Sequence, residues 1–271
     1  MPDFISYGIL GLVQGLSEFL PISSTGHLIV TRALLGLETP DGLAIDAVLQ
    51  CGTVLAVIVY FRSDLIHLAR TAVRQLFWAP VEVKDARLLR ALIAGTVPGV
   101  VAGLLLESTM DTVFRNPHLV AYALIVGSLF FMAAEYVYKR VHVSLSLEDF
   151  GWRRGFVVGV FQSLALVPGM SRSGMTISGG LFLGFTREAA ARFGFLLSVP
   201  IIAGSGLKKL IDLYSSGMLT SVEGPLIFGT LIAFVSGLLA IHGLLLFVRT
   251  RTLYAFVVYR VILALLILSF L

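Results

Sequence analysis

The sequence predicts an all-α polytopic membrane protein built as an inverted-topology repeat, each half holding one re-entrant helical hairpin and three transmembrane helices. That makes six spans and two hairpins. Three observations carry the prediction. Of 271 residues, 57% are hydrophobic and only 13% charged, with a mean hydropathy of +0.94; a soluble domain carries about a quarter charged. Eight apolar segments follow one another, and the first and fifth are broken by a proline beside a polar cluster. A stretch of the first half recurs in the second. The whole chain, 1–271, reads as one membrane domain, with a first repeat over 1–140 and a second, inverted repeat over 141–271.

The apolar segments are 5–36, 43–61, 88–106, 119–138, 155–184, 189–211, 225–248 and 253–271. Segments three, four, seven and eight read as plain spans of about 20 apolar residues. The first and fifth are long and rich in Gly and Ser, with breaks at Pro21 and Pro168. Cys51, the single cysteine, excludes an internal disulfide and reads as a small buried hydrophobe. His242 stands alone on an apolar segment and reads as structural. Asp46 and Gln50 share a helical face that can line a cavity, and Glu135 with Lys139 makes an i, i+4 pair. The first basic residue is Arg32, so no basic leader precedes the first segment.

Orientation follows from loop charge, because Lys and Arg collect on the cytoplasmic side. The loop 62–90 carries six Lys or Arg residues against three acids, 139–154 adds Lys139, Arg140, Arg153 and Arg154, and Arg249 and Arg251 mark a third basic turn. The stretches with Glu38 and Asp41, and with Glu107 and Asp111, are acidic and belong outside. Gly42 and Ser216 are then expected outside, and Ala79 and Ser146 inside. Between two inside turns the number of crossings is even, yet segments five, six and seven lie between 139–154 and 249–251. One of them must enter and return on the same side, and the broken fifth is the natural one.

The repeat gives the same answer. GLVQGLSEFLPISSTG (11–26) matches GVFQSLALVPGMSRSG (159–174) in the order glycine, glutamine, proline, Ser-rich triplet, glycine. Gly95-Thr96 and Gly229-Thr230 are each followed eight residues on by Gly-Leu-Leu. A repeat of three spans inverts its second copy. Such folds place the functional site near the bilayer midplane, where the broken helices meet.

Polar, irregular backbone at that depth is tolerated only where it lines a cavity. Ser and Thr after each proline cap a new helix, whose first N–H groups attract anions. Arg172, flanked by Ser171 and Ser173, suits two-bond binding of phosphate oxygens. Gln14 and Glu18 share a helix face. His27 exchanges a proton near neutral pH and can activate a neighbouring serine. Two function classes remain on these residues: a phosphate-transferring enzyme, which needs the Glu-Ser-His trio, and a transporter or flippase for a phosphorylated lipid or anion. No nucleic-acid motif is present.

QGLSEFLPISSTGH and PGMSRSGMT resemble the two signature motifs of the bacterial undecaprenyl-pyrophosphate phosphatase family, also known for bacitracin resistance. The resemblance extends over essentially the whole chain in length, segment count and motif order. It implies hydrolysis of a polyprenyl pyrophosphate to the monophosphate and inorganic phosphate, recycling the carrier for cell-wall glycans. It also implies a divalent cation (Mg²⁺ or Ca²⁺) as cofactor, and a pocket opening to the outer side of the cytoplasmic (inner) membrane. It carries over Glu18, Ser23, Ser24, Thr25 and His27 from the first motif, and the mechanism expected on these residues has Ser24 as nucleophile, His27 as general base, and Glu18 as orienting group or metal ligand. A metal-activated water attacking directly, with Ser24 as ligand only, is the open alternative. Arg172, Ser171, Ser173, Gly169, Thr176, Ser23 and Thr25 would hold the pyrophosphate. The family pattern admits Glu or Gln at Gln14, the second expected metal ligand. The expected partners are the membrane, the lipid substrate and, as an option, a second copy of the chain as a homodimer.

Overall fold

The computed structural model describes residues 4–37, 42–112, 116–141, 143–215 and 219–270. Among them the chain is helical apart from its connections, one 3-10 turn (Leu147–Asp149) and an isolated bridge between Leu145 and Phe185. The helices are α1 Phe4–Phe19, α2 Ser24–Leu35, α3 Gly42–Tyr60, α4 Arg62–Leu76, α5 Val83–Thr112 and α6 Pro117–Arg140. They continue with α7 Trp152–Leu164, α8 Arg172–Phe182, α9 Arg187–Ser215, α10 Leu219–Thr250 and α11 Tyr254–Phe270. Glu38, Asp41 and Ser216, and the side chains of Glu107 and Asp111, lie outside the described residues.

The apolar composition becomes an all-α membrane architecture. Among the described residues four helices are long and apolar enough to cross a bilayer: Val83–Leu106, Pro117–Arg140, Arg187–Lys208 and Gly224–Thr250. A fifth is reached only if Val48–Tyr60 and Arg62–Leu76 count as one span, and they are bent by 80°. α11, at 17 described residues, covers about 26 Å at 1.5 Å per residue, the lower end of the length that crosses a ~30 Å hydrocarbon core. By this measure four or five helices qualify, against six expected. The stretch 62–76, read from sequence as part of a basic loop, is instead the helix α4. Its apolar residues recur at helical spacing among the arginines, which loop charge alone conceals.

The two broken segments become pairs of short helices. α1 and α2 are 16 and 12 residues long, and α7 and α8 are 13 and 11. Each pair is interrupted by the expected proline. α2 starts at the cap Ser23 and α8 at the cap Ser171, both with φ 73°. That backbone is costly for a side-chain-bearing residue, roughly 1–3 kcal/mol each. Two residues at repeat-equivalent positions share it.

Small residues let backbones touch, as in membrane helix interfaces generally. A Cβ on Gly11 of α1 would stand 2.0 Å from the Gly229 carbonyl oxygen of α10, and one on Gly159 of α7 would stand 2.2 Å from the Gly95 oxygen of α5. These four glycines form two of the pairs that the sequence repeat aligns, Gly11 with Gly159 and Gly95 with Gly229. The first copy's Gly11 meets the second copy's Gly229, and the reverse holds for Gly159 and Gly95. Elsewhere α6 packs on α11, and α3 on both α9 and α10.

Several polar side chains are buried in the interior while many large apolar ones are exposed on the outer surface. Gln14, Glu135 and Arg260 are fully buried, whereas Leu104, Leu105 and Leu239 are exposed, as in a lipid-facing surface. Glu135 corrects a sequence expectation. Its carboxylate takes two hydrogen bonds from Arg187 (2.8 and 2.6 Å) and one from the Leu253 N–H (2.9 Å), tying α6 to α9 and to the residue before α11, and does not pair with Lys139. Lys139 instead lies 5.1 Å from the Tyr254 ring centroid. His242 accepts or donates one hydrogen bond with the Tyr60 hydroxyl at 3.0 Å, in keeping with a structural role. Asp46 pairs with Arg32 of α2.

Candidate functional site

The turn after α1 returns the chain so that Ser24, the first residue of α2, faces back to the last turn of α1. Ser24 Oγ donates to Glu18 Oε2 at 2.7 Å, and Gln14 Nε2, one turn earlier on α1, donates to the same oxygen at 2.9 Å. The other oxygen, Oε1, receives a hydrogen bond from Arg172 Nη2. Arg172 is the first residue of α8. One carboxylate therefore joins the first residues of two helices that belong to opposite halves of the chain. The Glu18 side chain is 5% exposed. A buried ion pair persists only when further hydrogen bonds satisfy its remaining lone pairs; Gln14 and Ser24 supply two of these, both on Oε2.

Both helices offer an anion site at this point. Ser23 Oγ accepts from the Gly26 N–H (3.4 Å) and Ser171 Oγ from the Gly174 N–H (3.3 Å). The other N–H groups of each first turn lack an intrahelical acceptor and carry the positive end of the helix dipole. Ser173 is tied to the facing half: its Oγ donates to the Leu20 carbonyl at 3.1 Å and lies 3.2 Å from Ser171 Oγ. Glu18, Arg172 and Ser173 line a narrow crevice whose other wall is Gly194, Phe195 and Ser198 of α9. A wider cavity lies elsewhere, between α4, α5 and α9. Its charges are already partnered, Asp64 with Arg192, Asp85 with His67 and Glu188 with Arg249.

The structure thus brings Gln14, Glu18, Ser24, Arg172 and Ser173 together. It does not bring His27 to Ser24. The ring nitrogens of His27 face the Ser23 carbonyl (Nδ1, 2.7 Å) and the Tyr259 hydroxyl (Nε2, 2.6 Å), so the serine hydroxyl has a carboxylate partner where an imidazole was expected. Thr176 is turned into its own helix, with Oγ1 donating toward the Arg172 and Ser173 carbonyls at 3.0 Å. Thr25 sits half-buried on the first turn of α2. Gly169 has φ 103°, and a Cβ there would meet the Val120 carbonyl oxygen of α6 at 2.4 Å. Only glycine fits that approach, which shapes the turn leading to Arg172.

Two residues of α11 escape the motifs. Tyr259 holds His27, stacked on it with ring centroids 5.5 Å apart. Arg260 is fully buried, donating to the carbonyls of Leu124 (3.0 Å) and Gly169 (2.8 Å) and to Ser128 Oγ (3.1 Å), over the Phe131 ring. It braces the turn that precedes Arg172. The signal for Arg260 was available, since an arginine inside an apolar segment marks a functional region by default. Tyr259 carries none.

A divalent cation needs hard oxygen donors. Gln14 Oε1 is buried with no hydrogen-bond partner, beside the Glu18 carboxylate. Among the described residues no group of three or more His, Cys, Asp or Glu residues could hold a metal. This donor set fits a Mg²⁺-like ion that takes most of its ligands from phosphate oxygens and water, and does not fit a closed protein cage.

Residues 7–266 match the family described as bacitracin resistance protein BacA. A Chloroherpeton thalassium protein named undecaprenyl-diphosphatase is 40% identical over 99% of this chain and 97% of its own length. Proteins of the same name from Myxococcus xanthus and Mycolicibacterium smegmatis are each 45% identical, over 96% and 97% of this chain and 86% and 95% of their own.

Proposed function

The chain belongs to the bacitracin resistance protein BacA family, and from that premise we propose that it hydrolyses undecaprenyl pyrophosphate to undecaprenyl phosphate and inorganic phosphate. The observation that carries this reading is the Glu18 carboxylate joined to both Ser24 and Arg172. Nucleophile, proton acceptor and phosphate clamp stand within one hydrogen-bonded group. Transport of an anion would need the clamp but not the serine aimed at a carboxylate.

Phosphoryl transfer passes through a loose transition state, so catalysis rests on positioning and charge neutralisation and needs no strong base. Arg172 and the first N–H groups of α2 and α8 hold the terminal phosphate. Ser24 Oγ attacks its phosphorus, the P–O bond to the lipid phosphate breaks, and the serine proton passes to Glu18. Water then attacks the phosphoserine, Glu18 returns its proton to Ser24 Oγ as that P–O bond breaks, and the protons of the water leave with inorganic phosphate. His27 serves as a positioning residue, fixing the first turn of α2 between Ser23 and Tyr259. Glu18 and Gln14 Oε1 would hold the divalent cation. When bound, that ion neutralises charge developing on the phosphate oxygens. Purified protein in detergent should release phosphate from undecaprenyl pyrophosphate, and EDTA should stop release until Mg²⁺ or Ca²⁺ is returned. Undiminished release after EDTA would remove the metal from this scheme, and no release under any condition would remove the scheme.

The two broken segments act as re-entrant hairpins of an inverted repeat in the bacterial cytoplasmic membrane, with the site opening outward. Three features support it: helices too short to cross, the shared φ at Ser23 and Ser171, and the reciprocal Gly11–Gly229 and Gly159–Gly95 contacts. Single cysteines at Ala79 and Ser146, in a Cys51→Ala background, should resist a membrane-impermeant thiol reagent on intact spheroplasts, while one at Gly42 reacts. Labelling at 79 or 146 would reverse the orientation.

A further inference from the structure

We propose that α4 is a membrane-surface anchor that gathers anionic phospholipid headgroups through Arg70 and Arg74. The helix leaves α3 at an 80° bend and cannot continue as a span, since Arg62, Asp64, Arg70 and Arg74 lie along it. One face, with Leu68 and Thr71 buried, packs toward α5. A second face carries Ile66, Ala69, Val73 and Leu76 at spacings of three and four residues. Ile66, Val73 and Leu76 are 51, 54 and 74% exposed, and Phe77 and Trp78 continue the apolar run at 75 and 96%. Arg70 and Arg74, one turn apart, border this stripe. Both are exposed, and neither has an acidic partner among the described residues.

An apolar stripe with a basic border is the pattern of a helix lying in the bilayer interface. The occupant follows from charge. A neutral lipid surface would satisfy the stripe and leave two arginines without counter-charge, whereas anionic headgroups satisfy both. A basic residue at such a surface contributes about 1 kcal/mol, or about fivefold enrichment of anionic lipid per arginine before salt screening. The proposal does not depend on the catalytic reading, because no residue of α4 lines the Glu18–Arg172 crevice.

The chain has two tryptophans, so Trp152→Phe leaves Trp78 as the only one. This protein is reconstituted into phosphatidylcholine vesicles doped with either brominated phosphatidylglycerol or brominated phosphatidylcholine at equal mole fraction. Trp78 fluorescence should be quenched by both, and at least twofold more by the anionic lipid. The excess should disappear in 1 M salt (where the screening length falls to about 3 Å) and in Arg70→Gln/Arg74→Gln. Equal quenching by the two lipids would overturn headgroup selection. An unquenched Trp78 would overturn the anchor altogether, and with concentration-dependent cross-linking at this face would assign the stripe to a second copy of the chain. The salt series uses no charge variant, so a misfolded double mutant does not decide the outcome.

Discussion

Ser24→Ala should lower phosphate release from undecaprenyl pyrophosphate at least a hundredfold, about 2.7 kcal/mol in the barrier, with lipid pyrophosphate binding retained. The substitution removes only the hydroxyl that donates to Glu18. Glu18 keeps its bonds from Arg172 and Gln14, and the N-cap of α2 is Ser23, so the helix start survives. Ser23→Ala tests the complementary case. It removes the bond from the Gly26 N–H and should cost about 1 kcal/mol of local stability with a milder loss of turnover. Single-turnover release, measured beside binding of a non-hydrolysable analogue, separates chemistry from affinity. If Ser24→Ala stays within tenfold of the parent, water attacks directly and Ser24 is a ligand only. If Ser23→Ala is the worse of the two, the nucleophile lies one residue earlier.

The site was legible in the sequence where its residues lie in runs. Glu18, Ser23 and Ser24 fall within seven positions around one proline, and Ser171, Arg172 and Ser173 are consecutive. Polar residues packed so densely inside apolar segments announce a cavity wall. What sequence does not carry is which group faces which. His27 sits three residues after Ser24, close enough to suggest a pair, yet the first turn of α2 points its ring toward Tyr259, 232 residues away. Glu18, six residues before Ser24, wins the hydroxyl because the turn at Pro21 folds α2 back onto α1. Bracing by Arg260 is long-range as well, 91 residues from the Gly169 carbonyl it holds.

The fold shows the same division. The broken segments and the repeat follow from proline, glycine and serine spacing, and the structure places Gly11 on Gly229 and Gly159 on Gly95 as reciprocal contacts. Net charge identifies a cytoplasmic stretch without distinguishing a loop from an amphipathic helix, so α4 shows only in the 3.6-residue recurrence of Ile66, Val73 and Leu76. Local spacing suggests Lys139 for Glu135, whereas the fully buried carboxylate takes a two-bond fork from Arg187, 52 residues on, and a third bond from the Leu253 N–H.

Arg172→Lys should lower turnover at least tenfold, about 1.4 kcal/mol, although it conserves charge. Arg172 engages Glu18 through Nη2, and the rest of its planar fork has no partner among the described residues, leaving parallel donors for phosphate oxygens. A lysine ammonium can keep the ion pair with Glu18, but it presents a point charge and cannot hold two phosphate oxygens in a plane. The loss should therefore fall on the transition state, lowering kcat, while the site stays assembled. Arg172→Gln makes a poorer test. It strands the Glu18 carboxylate in a buried position, where breaking an ion pair costs roughly 3–5 kcal/mol, so a lost fold would imitate a lost clamp. Thermal unfolding of Arg172→Lys in detergent should stay near that of the parent, and its kcat, from phosphate release across a substrate series, should carry the defect. Near-parent turnover in that well-folded variant would mean that charge alone suffices at this position, and the two-bond clamp would be withdrawn.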